Sequence, residues 1–131
     1  MSFVANDRCF LESRARNRQS VIVSVKPDAI HPSNLKERLD GPDPPVVLDV
    51  REPEEIEIVA MPGALHLPLA DFARCVRDLD RNATYVVVCH HGIRSAHAAA
   101  FMLESGFTAV LNLLGGIDAW AIEVDPSLPR Y

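Results

Sequence analysis

The sequence lacks the features of a membrane or secreted protein. No hydrophobic run approaches the ~20 apolar residues that a membrane-spanning helix needs. The first residues, MSFVANDRCF, do not combine a basic segment with an apolar core, so we expect no secretory signal. Cysteine is scarce as well, with three residues and no CxxC pair. Few and unpaired cysteines are typical of a reducing compartment, and we therefore predict a cytoplasmic protein in which a thiol is free for chemistry.

Basic residues are also fewer than acidic ones, with 13 against 18, and the formal net charge is −5. The exception is the segment 1–27, where five basic residues outnumber two acidic ones. The remaining chain is strongly acidic, which argues against a protein that binds nucleic acid through its phosphates. We interpret residues 1–27 as a solvated, mobile N-terminal extension, with a docking arm or an organelle-targeting segment as the alternatives.

Short apolar runs alternate with helical patterns along the chain. Strands are predicted in Val21–Val25, Val46–Val50, Tyr85–Val88 and Ala109–Leu114, with a brief one inside Met61–Pro68. Helices are predicted over His31–Leu39, Asp71–Leu79 and Ser95–Ser105 and after Gly115, with a turn or short helix at Arg51–Ile58. Strands that alternate with helices pair in parallel. The pattern thus predicts an α/β fold, with a doubly wound, mainly parallel five-stranded sheet and helices on both faces.

The segment CHHGIRS, Cys89 to Ser95, stands where a predicted strand gives way to a helix. In parallel sheets, ligands bind at the carboxyl ends of strands beside helix N-termini. A tight loop there directs backbone N–H groups inward, and the following helix adds the positive end of its dipole. Gly92 permits a left-handed backbone, and Arg94 contributes a permanent positive charge. Such surroundings lower the pKa of a cysteine from about 8.5 into the ~3.5–7.5 range, so we predict Cys89 to be the catalytic nucleophile.

Four segments, in order, resemble the rhodanese-like single-domain sulfurtransferases. Val46–Glu55 is similar to the family's LLDVREPEE segment, and Met61–Pro68 to its IPGAxxIP segment. Cys89–Ser95 matches the CxxGxRS loop, and Gly106-Phe107 with Asn112–Trp120 matches GF…NLxGGxxAW. The resemblance covers about residues 28 to 124. It divides the chain into an extension over 1–27, a rhodanese-like domain over 28–125 and a C-terminal tail over 126–131.

The resemblance implies transfer of sulfane sulfur without a metal or organic cofactor. Cys89 would take sulfur from a donor such as thiosulfate, become a persulfide, and pass the sulfur to cyanide or a cellular thiol. The loop that would bind the donor and hold the persulfide comprises His90, His91, Gly92, Ile93, Arg94 and Ser95. Asp49 and Arg51 are read as structural support, with anion steering by Arg51 as the alternative. The expected partners are a small sulfur-containing anion and a thiol acceptor, with a protein donor or acceptor left open.

Two other functions remain as alternatives. A non-catalytic rhodanese-like module would bind a partner, although such a module has no need of a cysteine, a glycine and an arginine in this loop. Phosphatases of the related fold separate cysteine and arginine by five residues, whereas four separate Cys89 from Arg94. A smaller loop suits one sulfur atom better than a tetrahedral phosphate, which disfavours a thiol-based phosphatase or arsenate reductase.

The pair His90-His91 raises the question of a metal, and Cys9 that of a second thiol. Adjacent residues in a tight loop rarely direct both rings to one ion, and structural zinc normally has four ligands, so we predict no metal site. Cys9 is either an incidental cysteine of the extension or a resolving thiol for a Cys89 persulfide.

Overall fold

The computed structural model describes residues 26–131. Nearly all of the predicted extension 1–27 lies outside this range. The part outside includes Cys9 and the strand predicted in Val21–Val25. Among the described residues, no helix is both long enough and apolar enough to cross a membrane.

Five strands in residues 26–131 form one sheet in which every pairing is parallel. They are β1 (Asp28–Ile30), β2 (Val46–Asp49), β3 (Leu65–His66), β4 (Thr84–Val88) and β5 (Ala109–Leu113), in the order β1-β5-β4-β2-β3. The parallel α/β prediction is confirmed. The edge strand β1 was not predicted, because it has only three residues and buries only Ile30, which is too short a pattern to recognise.

The connecting helices begin and end close to the predicted residues. Their bounds are α1 (Pro32–Leu39), α2 (Pro53–Ile58), α3 (Phe72–Cys75), α4 (Ile93–Glu104) and α5 (Gly116–Glu123). Proline opens both α1 and α2, a position where its missing N–H costs no hydrogen bond. The helix predicted over Asp71–Leu79 is shorter, because 3₁₀ turns at Leu69–Asp71 and Val76–Asp78 flank α3.

Side chains of the central strand β4 alternate between two cores, one on each face of the sheet. Val86 and Val88 pack with residues of α1 and α5. Val87 and Cys89 pack on the opposite face with residues of α3 and α4. Cys89 therefore begins its loop from a rigid position at the carboxyl end of a central strand, next to the end of β2, where Asp49 pairs in register with Val88.

Candidate active site

The loop between β4 and α4 closes on the sulfur atom of Cys89. The backbone N–H of Gly92 donates a hydrogen bond to Cys89 Sγ at 3.0 Å. Gly92 has φ 105°, a left-handed conformation that glycine adopts without a steric penalty. Helix α4 begins at Ile93 rather than at the predicted Ser95, so the backbone N–H of Ser95, which donates to the thiol, lies in the first turn of the helix.

The first turn of α5 fixes the direction of the loop amides. The N–H of Ile117 donates to the carbonyl of Cys89 at 2.9 Å, and the N–H of Asp118 donates to the carbonyl of His90 at 3.2 Å. In a trans peptide the carbonyl and the following N–H point in opposite directions. Holding the carbonyl of His90 against α5 therefore turns the N–H of His91 away from α5.

Close approach between α5 and the loop requires glycine at position 116. Gly116 has φ 65°, and a Cβ there would collide with the carbonyls of Cys89 and His90. Gly116, the second residue of the Gly115-Gly116 pair, is thus needed for the packing of α5 against the loop as well as for the start of the helix.

The surroundings of Cys89 favour its thiolate. Burial of the side chain, which is 1% exposed, raises the pKa of the thiol. Hydrogen bonds from the Ser95 hydroxyl and from the backbone N–H groups of Ser95, Gly92 and His91 act in the opposite direction and outweigh burial. The net pKa of Cys89 lies below its ordinary value. The side chain is enclosed, yet the neighbouring amides point inward, as predicted from the sequence.

The guanidinium of Arg94 lies against a carboxylate rather than free in the loop. Its Nη1 and Nη2 atoms bind the two oxygens of Glu55 at 2.7 and 2.9 Å, in a bidentate pair that joins α4 to α2. Hydrogen bonding to Arg94 is the largest effect that lowers the pKa of Glu55, to about 2. Glu55 also accepts a hydrogen bond from the N–H of Glu52 in a capping box at the start of α2. The positive charge of Arg94 is thus largely balanced within the protein.

Asp49 and Arg51 form a buried ion pair at the end of β2, with exposures of 1% and 0%. Arg51 Nε and Nη2 donate to the two carboxylate oxygens at 3.0 and 2.8 Å, and Nη2 also donates to the carbonyl of Val59 at 2.8 Å. Burial lowers the pKa of Arg51, but hydrogen bonds to Asp49 and Tyr131 raise it further, so the guanidinium stays charged. A buried and fully engaged guanidinium favours the interpretation as structural support over anion steering.

Tyr131 lies on the loop. Its ring is stacked on His90, with centroids 3.8 Å apart and planes 7° from parallel. Its hydroxyl accepts a hydrogen bond from Arg51 Nη1 at 3.0 Å and donates one to Glu55 Oε1 at 2.8 Å. The role of Tyr131 was not predicted from the sequence, because nothing local marks a contact across so many residues.

The side chains of His90, His91 and Asp118 place three potential metal ligands within 4.8 Å of one another. The two histidine rings are stacked, with centroids 3.9 Å apart and planes 28° from parallel. A nitrogen lone pair lies in the plane of its ring, so two nearly parallel rings cannot both direct one at the same ion. Arg130 also binds both oxygens of Asp118. The cluster as arranged is poorly suited to a metal ion.

Ser95 and Asn112 complete the polar surroundings of the sulfur. Ser95 Oγ lies 3.2 Å from Cys89 Sγ and 2.5 Å from Asn112 Oδ1, while Asn112 Nδ2 donates to the carbonyl of Gly92 at 3.0 Å. By contrast, Ile93, the first residue of α4, is 71% exposed. Asn112 was recognised in the sequence only as part of the segment Asn112–Trp120. The available signal was a polar residue in the otherwise apolar run of β5, Ala-Val-Leu-Asn-Leu.

The comparisons with known proteins agree with this fold. The model of the rhodanese-like domain family matches residues 31–123. A sulfurtransferase of Allochromatium vinosum is 35% identical over 92 residues, which cover 70% of this chain and 86% of that protein. The crystal structure of a rhodanese-related protein from Thermoplasma volcanium is 31% identical, with a TM-score of 0.67 over 74% of this chain and 93% of that one.

Longer proteins match as well. The adenylyltransferase and sulfurtransferase MOCS3 of Arabidopsis thaliana is 31% identical over 118 residues, which are 78% of this chain but 25% of that protein. The chain spans from 25% to 46% of the length of this and two other curated relatives that it matches. The family match over residues 31–123 and the relatives of similar length support one conclusion: the chain belongs to the rhodanese-like domain family.

Proposed function

We propose that this protein is a sulfurtransferase that carries sulfane sulfur on Cys89. The observation that carries the proposal is the ring of hydrogen-bond donors around Cys89 Sγ, in which the N–H of Gly92 lies at 3.0 Å and the hydroxyl of Ser95 at 3.2 Å. These donors stabilise a negative charge on sulfur, which is the form of cysteine that attacks. The relative of similar length from Allochromatium vinosum is named a sulfurtransferase, which agrees with the proposal of sulfur transfer.

The reaction has two steps, with thiosulfate as the proposed donor. The Cys89 thiolate attacks the outer sulfur of thiosulfate, a bond forms between the two sulfur atoms, and the S–S bond of thiosulfate breaks. The electron pair of that bond leaves with sulfite, and the negative charge moves to the outer sulfur of the new persulfide. Cyanide or an acceptor thiolate then attacks the outer sulfur, which releases thiocyanate or an acceptor persulfide and restores the thiolate. Covalent catalysis divides one difficult exchange into two easier ones.

The loop has a further role once the persulfide forms. The outer sulfur then carries the charge and lies farther from the backbone of Cys89. Inward-directed N–H groups and the N-terminus of α4 stabilise an anion at this position. No group of the protein needs to donate a proton in either step, because each leaving group departs as an anion.

The position of Arg94 disfavours the phosphatase alternative. A phosphatase of this general type needs a free guanidinium to bind the phosphoryl oxygens, whereas both terminal nitrogens of Arg94 are bound to Glu55. A single sulfur atom needs no such clamp. We extend the proposal to protein partners as donor or acceptor, because a protein persulfide or thiol supplies the same reacting atoms and the Arabidopsis relative is named for two activities in one polypeptide.

A steady-state assay with thiosulfate and cyanide tests the proposal. We expect the wild-type protein to release sulfite and form thiocyanate, Cys89→Ser to form neither, and Cys75→Ser to retain turnover. Cys75 is a matched control because it is a partly buried free cysteine outside the loop. Absence of both products with the wild-type protein would contradict the proposal and favour a binding module. Hydrolysis of an aryl phosphate that depends on Cys89 would favour a phosphatase.

A further inference from the structure

The hydroxyl of Ser95 has one hydrogen and two acceptors within reach. Asn112 Oδ1 lies 2.5 Å from Ser95 Oγ, and Cys89 Sγ lies 3.2 Å from it. A serine hydroxyl has a single hydrogen to donate, so it can form a full hydrogen bond with either the amide oxygen or the sulfur, but not with both at once. The two acceptors therefore compete.

The amide of Asn112 is held in the orientation that makes it a competitor. Its Nδ2 donates to the carbonyl of Gly92 at 3.0 Å, which directs Oδ1 to Ser95. Asn112 pairs in register with Val87, so it lies on the face of the sheet that carries Cys89. The exposures of Cys89, Ser95 and Asn112 are 1%, 0% and 9%. In such a buried network, hydrogen bonds are strong and an unpaired polar group is costly.

The preferred acceptor depends on the charge of the sulfur. A neutral thiol donates its own hydrogen to Ser95 Oγ, and the Ser95 hydroxyl then donates to Asn112 Oδ1. An ionised sulfur is a stronger acceptor than a neutral amide oxygen, so the hydroxyl turns to Sγ. Asn112 Oδ1 then loses its partner, and this loss opposes ionisation.

We propose that Asn112 is a positioning residue that holds the Ser95 hydroxyl while Cys89 is neutral and releases it to the sulfur when the thiolate forms. The inference deepens the proposed function, because the bare thiolate is the species that attacks the donor. In the persulfide the charge lies on the outer sulfur, and the hydroxyl returns to Asn112. Asn112 thus limits how readily Cys89 ionises and keeps the hydroxyl oriented in each state.

A double-mutant cycle on the full chain measures the competition. The readout is the pH midpoint for alkylation of Cys89 by iodoacetamide, followed by mass spectrometry of the peptide that contains it. Asn112→Leu removes the competing acceptor at similar size, and Ser95→Ala removes the hydroxyl. We expect Asn112→Leu to lower the midpoint by about 0.5 to 1 pH unit when Ser95 is present. In the Ser95→Ala background we expect less than about a third of that shift.

The cycle separates competition from a structural effect. Asn112→Leu also removes the hydrogen bond to the carbonyl of Gly92, and any effect through that bond persists in the Ser95→Ala background. Equal shifts in both backgrounds, or a midpoint that rises with Asn112→Leu, would overturn the proposal. Should the variant fail to fold, the wild-type protein provides the test through the NMR signals of the Asn112 side-chain amide. They should shift with the midpoint of Cys89 ionisation, and a constant signal would overturn the proposal equally.

Other charged groups around the network stay the same across the cycle. Arg94 from α4 interacts with the charge of Cys89 and is itself paired with Glu55 from α2 and near Tyr131. The adjoining loop residues are His90 and His91, which interact with Asp118 of α5. These groups contribute equally to each member of the cycle, so they cancel in the difference of shifts.

The test is independent of the proposed function. Alkylation uses no sulfur donor, so a protein that failed to release sulfite would overturn sulfur transfer and leave the cycle interpretable. Equal shifts in both backgrounds would instead overturn the role of Asn112 and leave sulfur transfer standing. If both proposals hold, the pH midpoint of sulfite release shifts with Asn112→Leu by the same amount as the alkylation midpoint.

Discussion

The ion pair between Arg94 and Glu55 gives a quantitative prediction for stability. The pKa of Glu55 falls from 4.5 to about 2 in the folded protein, chiefly through hydrogen bonds from Arg94. By linkage, such a difference corresponds to about 3 kcal/mol of stability at neutral pH. The side chains of Arg94 and Glu55 are 36% and 19% exposed, and solvent screening reduces the contribution to about 2 kcal/mol. We therefore expect Glu55→Gln to lower the free energy of unfolding by about 2 kcal/mol at pH 7.

The same prediction has a defined pH dependence. A carboxylate whose pKa is lowered on folding stabilises the protein fully above its unfolded value of about 4.5, and the stabilisation is lost as the pH falls through the folded value of about 2. The difference in the free energy of unfolding between wild type and Glu55→Gln should therefore fall to less than half of its value at pH 7 by about pH 3. Urea unfolding followed by the fluorescence of the buried Trp120 measures both proteins.

The matched control is Glu54→Gln. Glu54 is an exposed carboxylate in the same first turn of α2, so it shares the helix-dipole environment of Glu55. We expect this variant to change stability by less than about 0.5 kcal/mol. Two results would refute the reasoning. One is a difference in unfolding free energy between wild type and Glu55→Gln that stays constant from pH 7 to pH 3. The other is a loss of stability in Glu55→Gln no larger than that in Glu54→Gln.

Three further predictions concern the surroundings of the loop. Asp49→Asn leaves Arg51 buried without its counter-charge, so urea unfolding should show a loss of about 3–5 kcal/mol, and a loss below about 1 kcal/mol would contradict the buried pair. Gly116→Ala places a Cβ against the carbonyl of Cys89, so the alkylation midpoint of Cys89 should rise in a protein with unchanged circular dichroism, and an unchanged midpoint would argue against the packing of α5 on the loop. Tyr131→Phe keeps the ring but removes the hydroxyl, and unfolding should show a loss of about 1 kcal/mol, whereas equal stability would mean that stacking alone holds the C-terminal residue.

The sequence predicted the elements whose signal is local. The strands β2, β4 and β5 are continuous apolar runs, and α4 shows helical periodicity over three turns, so each was found within a few residues. Cys89 was predicted as the candidate nucleophile because it lies at a junction between a predicted strand and a predicted helix. The strand β1 was missed since three residues carry no periodicity, and its place in the sheet depends on pairing with β5.

The contacts around the candidate nucleophile could not be predicted from the sequence, because they join segments that are far apart in the chain. Glu55 meets Arg94 across 39 residues, and it meets Tyr131 across 76. Arg94 was expected to supply charge to the thiol, whereas hydrogen bonds from Ser95 and the loop amides are the principal effects that lower the pKa of Cys89. Motifs identified the residue types of the site, but the partner of each charge depends on tertiary packing.

Intact-mass spectrometry after incubation with thiosulfate tests the central claim most directly. If the loop keeps Cys89 ionised for sulfur transfer, the wild-type protein should gain the mass of one sulfur atom and lose it again on addition of cyanide, while Cys89→Ser gains nothing. A wild-type protein whose mass does not change, or an equal gain by Cys89→Ser, would contradict the account.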